Sequence, residues 1–464
     1  MSKISVIMPS LNVRPYIEKC LGSVVSQSFK DLEIICVDAG STDGTLEIIN
    51  EFARKDSRIK VINSDVKSYG YQMNLGIRYA KGEYIGIVET DDFIDQEMYQ
   101  TLYNFIVQDD VDFVKGSYKE FVEHNGRTMV SECKRTKIKQ NYLGRKIYLE
   151  KEPEARLTDL NHIWSGIYSR AFLISNNIWF NETPGASFQD TSFSILVGML
   201  SRTCIYADMA KYYYRIDNPD SSVKSDSKIN CIIDEFKYVE NELNKRNVSY
   251  DYKVKNMLKQ IKINIYKWNY SRLTENSAKE FSENIREELS WLLNDKDFTI
   301  QMDSKIIDSI AIMLGEKEDV PAYSKNAEKN TVDFIKRLMN KKRIVLVCAG
   351  EYADRLFFLK EYSNQDCDIE IVDNNSTKHG IMFHGHIVKS MSDIKEFYSD
   401  YSIIIANKYS ADELYNQICG FFASVFLQFV RINFSLFMLC TTSQKTFSTA
   451  ILLRFFCKLV IIYI

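Results

Sequence analysis

The chain has 464 residues, 45% of them hydrophobic and 26% charged, with a net charge of -3. That length suits about three domains, and the composition is that of a core-forming protein rather than a disordered or fibrous one. A near balance of 59 basic and 62 acidic residues offers no electrostatic basis for a nucleic-acid partner.

The first 120 residues alternate strand and helix patterns. ISVIMP reads as a strand. PYIEKCLGSVVSQ is a helix with Ile17, Leu21, Val24 and Val25 on one face, and LEIICVD is a buried strand. STDGTLEIINEFARKD is a helix for which Ser41 to Asp43 offer capping oxygens. RIKVIN, YGYQMNLGIRYA and YIGIVE continue as strand, helix and strand. DQEMYQTLYNFIVQ is a helix with Asp95 as its expected N-cap, and VDFVKGSY is the next strand. Such alternation predicts an α/β fold with a mostly parallel sheet covered on both faces. In that architecture ligands bind beyond the carboxyl ends of the strands, where Pro9–Asn12, Asp38–Asp43 and Glu89–Asp92 all fall.

Residues 1–225 are expected to form this first domain. Residues 226–338 read as a helical region, with Ile232, Ile233, Phe236, Val239 and Leu243 spaced for one face. Residues 339–418 restart an α/β pattern, and 419–464 form an apolar, cationic tail with no acidic residue. That tail is read either as an interfacial membrane anchor or as an extension that breaks the preceding pattern. The ten cysteines form no C-x-x-C pair and no His/Cys cluster at metal-ligand spacing, which points to a reducing, cytoplasmic setting. MSKISVIMP enters a strand with no signal-peptide pattern, in line with that expectation.

The chemistry concentrates where YIGIV runs into Glu89, Asp91, Asp92 and Asp95, four carboxylates within seven positions. Acids after a strand are often just a solvated turn. Glu89 and Asp91 flank one position, so both can address a site beyond the strand end. There they could hold Mg²⁺ or Mn²⁺ while the ion bridges phosphate oxygens.

The stretches ISVIMPSLN, YIEKCLGSVVSQSFKDLEIICVDAGSTDGT and GYQMNLGIRYAKGEYIGIVETDDFID resemble family 2 glycosyltransferases of the GT-A fold. The resemblance is continuous over residues 3–120 and looser to about 225. It implies a nucleotide-diphosphate sugar donor, a divalent metal, and transfer with inversion at the anomeric carbon. It implies a bacterial setting too, a cell-surface polysaccharide such as capsule or lipopolysaccharide, with a glycan or lipid-linked glycan as acceptor. The enzyme would then work in the cytoplasm, in peripheral contact with the inner face of the membrane.

Pro9, Ser10 and Asn12 match the family's first nucleotide-binding loop, with Leu11 where an aromatic is common. Asp38 matches the acid that accepts from the uracil imide, which implies a UDP donor; Ala39 replaces the usual second acid. Asn74 lies on the helix whose start faces the donor, and Gln72 replaces an arginine often found there. Glu89, Thr90 and Asp91 stand in for the Asp-x-Asp metal motif, so Glu89 and Asp91 are the expected metal ligands. Asp92 is expected to address ribose, metal or a loop amide.

The resemblance also places a catalytic base in the second half of the domain. Gln189-Asp190 supplies it as Asp190, a residue that could equally cap the helix that follows. Trp164 is a sugar platform or a core residue. In YYYRIDNPDSSV, similar to the family's closing loop, Arg215 is a candidate phosphate or acceptor contact, and Ser221 and Ser222 sit where a mobile segment would bond.

VLVCAGEYADRL and IEIVDNN resemble a dinucleotide-binding strand–turn–helix, but only Gly350 survives of its glycines. The unit is therefore expected to be a Rossmann-like accessory domain. An NAD-dependent oxidoreductase or epimerase acting through it is one alternative reading of the whole chain, and a non-catalytic sugar-binding module is another.

Overall fold

A computed structural model describes residues 2–124, 127–134, 140–158, 162–186, 188–220, 225, 228–246, 250, 252–294, 299, 302, 304–316, 343–350, 353, 357, 368–396, 402–405 and 459–460. Contacts divide the chain into two compact units, Met1–Asp319 and Val320–Ile464.

The first unit begins with β1 (Ile4–Ser10), α1 (Arg14–Val25), β2 (Leu32–Asp38), α2 (Thr45–Lys55), β3 (Ile59–Asn63), α3 (Tyr69–Tyr79) and β4 (Tyr84–Ile87). It continues through β5 (Phe93–Ile94), α4 (Met98–Asp109), β6 (Phe113–His124), β7 (Arg127–Lys134), β8 (Lys146–Tyr148), β9 (Gly166–Ser169), α5 (Arg170–Ser175), α6 (Gln189–Leu200) and β10 (Thr203–Arg215). The sheet runs β3-β2-β1-β4-β9-β6-β10-β5, with β7 on β6 and β8 on β10. β1 pairs parallel with β2 and β4, while β9 runs antiparallel between β4 and β6. Every residue of β1 and β2 is buried, which is why these strands read as unbroken apolar runs rather than as alternation. Their register sets Ser10 beside Asp38 at the carboxyl rim.

Two expected caps are corrected. α2 is entered through Gly44 in the left-handed region at φ 101°, with no side-chain cap. Asp43 instead accepts from the N–H groups of Thr45 (3.0 Å) and Arg14 (2.9 Å), tying the α1 and α2 entries together. Asp95 lies two residues before the N-cap of α4, where it accepts from Glu97 N (2.9 Å) and pairs with Lys211 (2.9 Å).

Among the described residues, α7 (Cys231–Lys245), α8 (Tyr252–Arg272), α9 (Glu275–Asn294) and α10 (Ser304–Leu314) follow in this unit. The expected face of α7 is buried at Ile232, Ile233, Phe236, Val239 and Leu243. Among the described residues no helix is long and apolar enough to cross a membrane.

The second unit holds β11 (Arg343–Val347), β12 (Asp368–Asp373), β13 (Met382–Phe383), β14 (His386–Ser390), β15 (Ser402–Ile405) and β16 (Leu459–Val460), in the order β13-β14-β12-β11-β15-β16. β16, which pairs parallel with β15, is all of the 419–464 tail that is described. The rest of the tail, and Ser221 and Ser222, lie outside the described residues.

Candidate active site

The rim of the first sheet is built by hydrogen bonds that close one strand end on the next. Ser10 donates to Asp38 (3.1 Å), whose carboxylate also accepts from Gly40 N (3.0 Å), Ser41 N (2.8 Å) and Ser41 Oγ (2.6 Å). Asn12, left-handed at φ 54°, accepts from Thr42 N (2.9 Å). Gln72 donates to the carbonyls of Ser10 (3.0 Å) and Val37 (2.7 Å), so the residue replacing an arginine joins β1 to β2. Thr90 is buried and donates to Pro9 O (2.8 Å), which ties the β4 end to β1.

Glu89, Asp91 and Asp92 then part ways. Asp92 is 2% exposed and accepts from Tyr212 Oη (2.7 Å) and Arg215 N (2.7 Å), which fastens the acidic turn to β10. Asp91 is half-buried and accepts from Asn218 Nδ2 (2.7 Å). Glu89, also half-buried, accepts from Tyr69 Oη (2.6 Å). Loss of hydration pushes Glu89 up to about 8, with the negative charges of Asp91 and Asp190 adding to the effect. Burial raises Asp91 too, against the hydrogen bond from Asn218.

Arg215 does not offer its guanidinium to this space. It is buried, pairs with Glu123 and Asp217 (3.0 Å), donates from Nε to Asp91 O (2.9 Å), and stacks on Tyr16 and Phe121 at 4.6 and 4.5 Å. Its charge is therefore met within the fold.

Asp190 reaches the same rim from the far end of the sequence. The segment before it crosses the start of α3, where Ser68 Oγ donates to Thr183 O (2.7 Å) and Tyr69 N to Gly185 O (3.0 Å). Gly70 permits this crossing, since a Cβ there would stand 1.9 Å from Asn181 O. Asn74 bonds Phe180 through both its amide groups (2.9 Å each) and donates to Glu182 (2.8 Å), so its buried side chain braces this segment.

The N-cap of α6 is Phe188, left-handed at φ 65°. Asp190 therefore lies inside the first turn and is not the cap. For an aromatic residue that backbone costs about 1–3 kcal/mol. Burial pushes Asp190 up to about 6, against the helix-terminal N–H of Thr191 and the nearby His162.

Glu89 thus feels the charges of both Asp91 and Asp190, while Ser10, Asp38, Asn74, Thr90, Asp92 and Arg215 are engaged in building the rim. Trp164 is 6% exposed and stacks on Tyr212 (4.0 Å) and Tyr214 (5.4 Å), which is the core alternative. Sequence reading did not single out Tyr69, Tyr212 or Glu123. Asn218 lay within a quoted stretch, in RIDNPD, with nothing in its neighbours to mark it.

Comparison with known proteins bears on this arrangement. Residues 5–162 match the model of glycosyl transferase family 2. That family domain accounts for about a third of the chain. Glycosyltransferase GlyA of Streptococcus pneumoniae is 32% identical over 216 residues, 46% of this chain and 30% of that protein. The poly(ribitol-phosphate) beta-glucosyltransferase of Bacillus spizizenii is 30% identical over 222 residues, 46% of this chain and 32% of that protein. The chain thus matches about a third of the length of these relatives. Staphylococcus aureus TarS 1–349, solved in complex with UDP-GlcNAc, aligns over 68% of this chain and 88% of its own at 21% identity, with a TM-score of 0.45. The sheet of the first unit is a mixed α/β arrangement, with β9 antiparallel between β4 and β6.

Among the described residues no three His, Cys, Asp or Glu side chains are grouped to hold a metal ion. The transferase rim still suits a hard cation bound mainly by phosphate and water, which needs one or two protein carboxylates. Glu89 and Asp91 each show one side-chain hydrogen bond, and both are raised by burial, so a cation beside them would relieve that cost.

In the second unit Asp373 ends β12 and is 1% exposed. It accepts from Ala349 N (2.8 Å), Asn375 N (2.8 Å) and Lys378 Nζ (3.0 Å). Cys348, at a position where a dinucleotide loop has glycine, is left-handed at φ 82°.

Proposed function

We propose that the chain is an inverting glycosyltransferase that moves a sugar from a nucleotide-diphosphate donor, UDP by the resemblance at Asp38, to a saccharide acceptor in bacterial cell-surface polysaccharide synthesis. The observation that carries this reading is the family match over residues 5–162, within which a parallel-sheet strand ends in the half-buried acids Glu89 and Asp91. The polysaccharide setting is supported by the match to a relative named for poly(ribitol-phosphate).

Asp190 takes the proton of the acceptor hydroxyl as that oxygen attacks the anomeric carbon. The bond from that carbon to the diphosphate oxygen breaks on the opposite face, so the configuration inverts. A carboxylate that titrates near 6 is ionised at neutral pH yet basic enough to take a proton in the transition state. Asp91 and Glu89 would hold Mg²⁺ or Mn²⁺, which when bound supplies counter-charge to the departing diphosphate. Asn218 and Tyr69 would fix the two carboxylates, each through one oxygen. Pro9, Ser10, Asn12 and Asp38 form the wall for the base, and the backbone they brace is the donor-facing surface. Thr90, Asp92, Asn74 and Arg215 support that wall from within.

The test is release of UDP from a panel of UDP-sugars, with Mn²⁺ and with EDTA. Turnover abolished by the chelator supports the reading. Binding of NADH without UDP-sugar turnover, or sugar binding without any turnover, contradicts it.

A further inference from the structure

The proposed base stands on a segment that the helical region grips from outside the family-matched residues. Phe188 enters α6 in the left-handed conformation two residues before Asp190. Its ring meets Trp268 of α8 edge-on at 5.5 Å, and the Arg272 guanidinium lies 5.0 Å from its centroid. Arg272 is 9% exposed and is held in place from several sides. It donates to Asn269 Oδ1 (2.9 Å), Ser225 O (2.7 Å) and Lys228 O (2.9 Å). Asn269, fully buried, donates to Ile229 O (2.9 Å) and so fixes the same short stretch. Lys228, set by that stretch, donates to Ala186 O just before Phe188. From α7, Glu235 accepts from Asn181 Nδ2 (3.0 Å) and Tyr238 Oη donates to Trp179 O (3.3 Å). A left-handed aromatic is not a conformation the local sequence prefers, so tertiary contacts must impose it.

We infer that Arg272, acting with Trp268 through the Phe188 ring, is a positioning residue that sets Asp190 against the acceptor hydroxyl. The helical region is on this view part of the catalytic apparatus rather than a spacer. The inference rests on Asp190 being the base. It predicts a loss confined to the chemical step, because the donor wall on β1 and β2 has none of these contacts. Displacing a reacting group by about 1 Å can cost on the order of 100-fold in rate.

Three variants in the full chain test it: Phe188→Gly, Arg272→Met and Arg272→Lys, each assayed for kcat, donor KM and thermal midpoint. Glycine adopts positive φ freely, so Phe188→Gly removes the ring without opposing the backbone. If Arg272→Met fails to fold, Phe188→Gly still decides. We expect Phe188→Gly and Arg272→Met to lower kcat about tenfold or more with donor KM within about twofold, and Arg272→Lys to recover part of the loss. In an Asp190→Asn background the same changes should cost nothing further, because the two act on one step. Wild-type kcat in a folded Phe188→Gly protein overturns the inference. So does an equal fall in both backgrounds, the mark of a purely structural role. Full turnover by Asp190→Asn alone would instead remove the base assignment, a failure read from a different variant.

Discussion

The acids at the ends of β12 and β4 handle their charge in opposite ways. In the second unit burial alone would raise Asp373, yet the Asn375 N–H, Lys378 and the Ala349 N–H together hold it below its ordinary value. The negative charge there is met by a lysine of the same unit at 3.0 Å. At the β4 end no lysine or arginine side chain contacts the carboxylates of Glu89 or Asp91 among the described hydrogen bonds, and both stay raised. Arg215, the nearest candidate, spends its charge on Glu123 and Asp217. A strand-end acid neutralised from within is architecture. One left raised would gain from an external cation.

The largest expected effect breaks the β4 side of that contrast. Asp91→Asn should cut Mn²⁺-dependent UDP release by on the order of 100-fold or more while leaving the circular dichroism spectrum unchanged; unchanged turnover contradicts the metal role. Asp190→Asn should lower kcat by roughly 100- to 10,000-fold with donor affinity retained, as read by steady-state kinetics and UDP titration. A collapse in affinity with kcat intact would reassign the residue.

A smaller effect tests the other side. Lys378→Met leaves Asp373 with its two N–H donors and no countercharge, and should cost about 1–2 kcal/mol at most, since the lysine is partly exposed. The loss should appear in the second unit's unfolding transition by calorimetry and leave transfer unaffected. Loss of transfer would show that this strand end serves the chemistry after all.

A last effect, read only as a pH dependence of stability, concerns Glu235, buried on α7. Asn181 reaches one of its oxygens; the other has no hydrogen-bond partner, since the neighbouring Ser192 hydroxyl donates to Gln189 O (3.1 Å). Burial pushes this acid up to about 8, with Asp190 and Asp234 adding repulsion. A carboxyl raised on folding binds its proton more tightly in the native state, so stability falls as pH rises from the unfolded value near 4.5 to about 8. Glu235→Gln removes that dependence. Denaturant titrations should show the variant gaining on the wild type across that window by at most a few kcal/mol and levelling off above it. A constant difference would mean that Glu235 is ionised in the fold.

Much of the first sheet was legible because β1, β2 and β4 are buried on both faces and their helices carry clean apolar stripes. The short strands β5, β7, β8 and β9 were not singled out. β5, β8 and β9 pair antiparallel with distant partners, β7 pairs back on the preceding β6, and two-residue β5 has no room for a period. At the rim, Glu89, Asp91 and Asp190 stood out as acids at element ends, and the charges of Asp91 and Asp190 both act on Glu89. The engagement of Asp92 and Arg215 was not legible, because it joins Asp92 to Tyr212 and Arg215 of β10, and Arg215 to Glu123 of β6 and to Asp217 just past β10. The Phe188 cap escaped for a related reason. Its left-handed backbone is imposed by Trp268 and Arg272, some eighty residues on.

The most direct measurement is anomalous diffraction at the manganese edge from crystals grown with UDP and Mn²⁺. The account predicts one strong peak between the diphosphate and the Asp91 carboxylate, with Glu89 beside it and the uracil over the β1–β2 rim. Nucleotide bound elsewhere, or bound there with no ion within reach of Asp91, would contradict it.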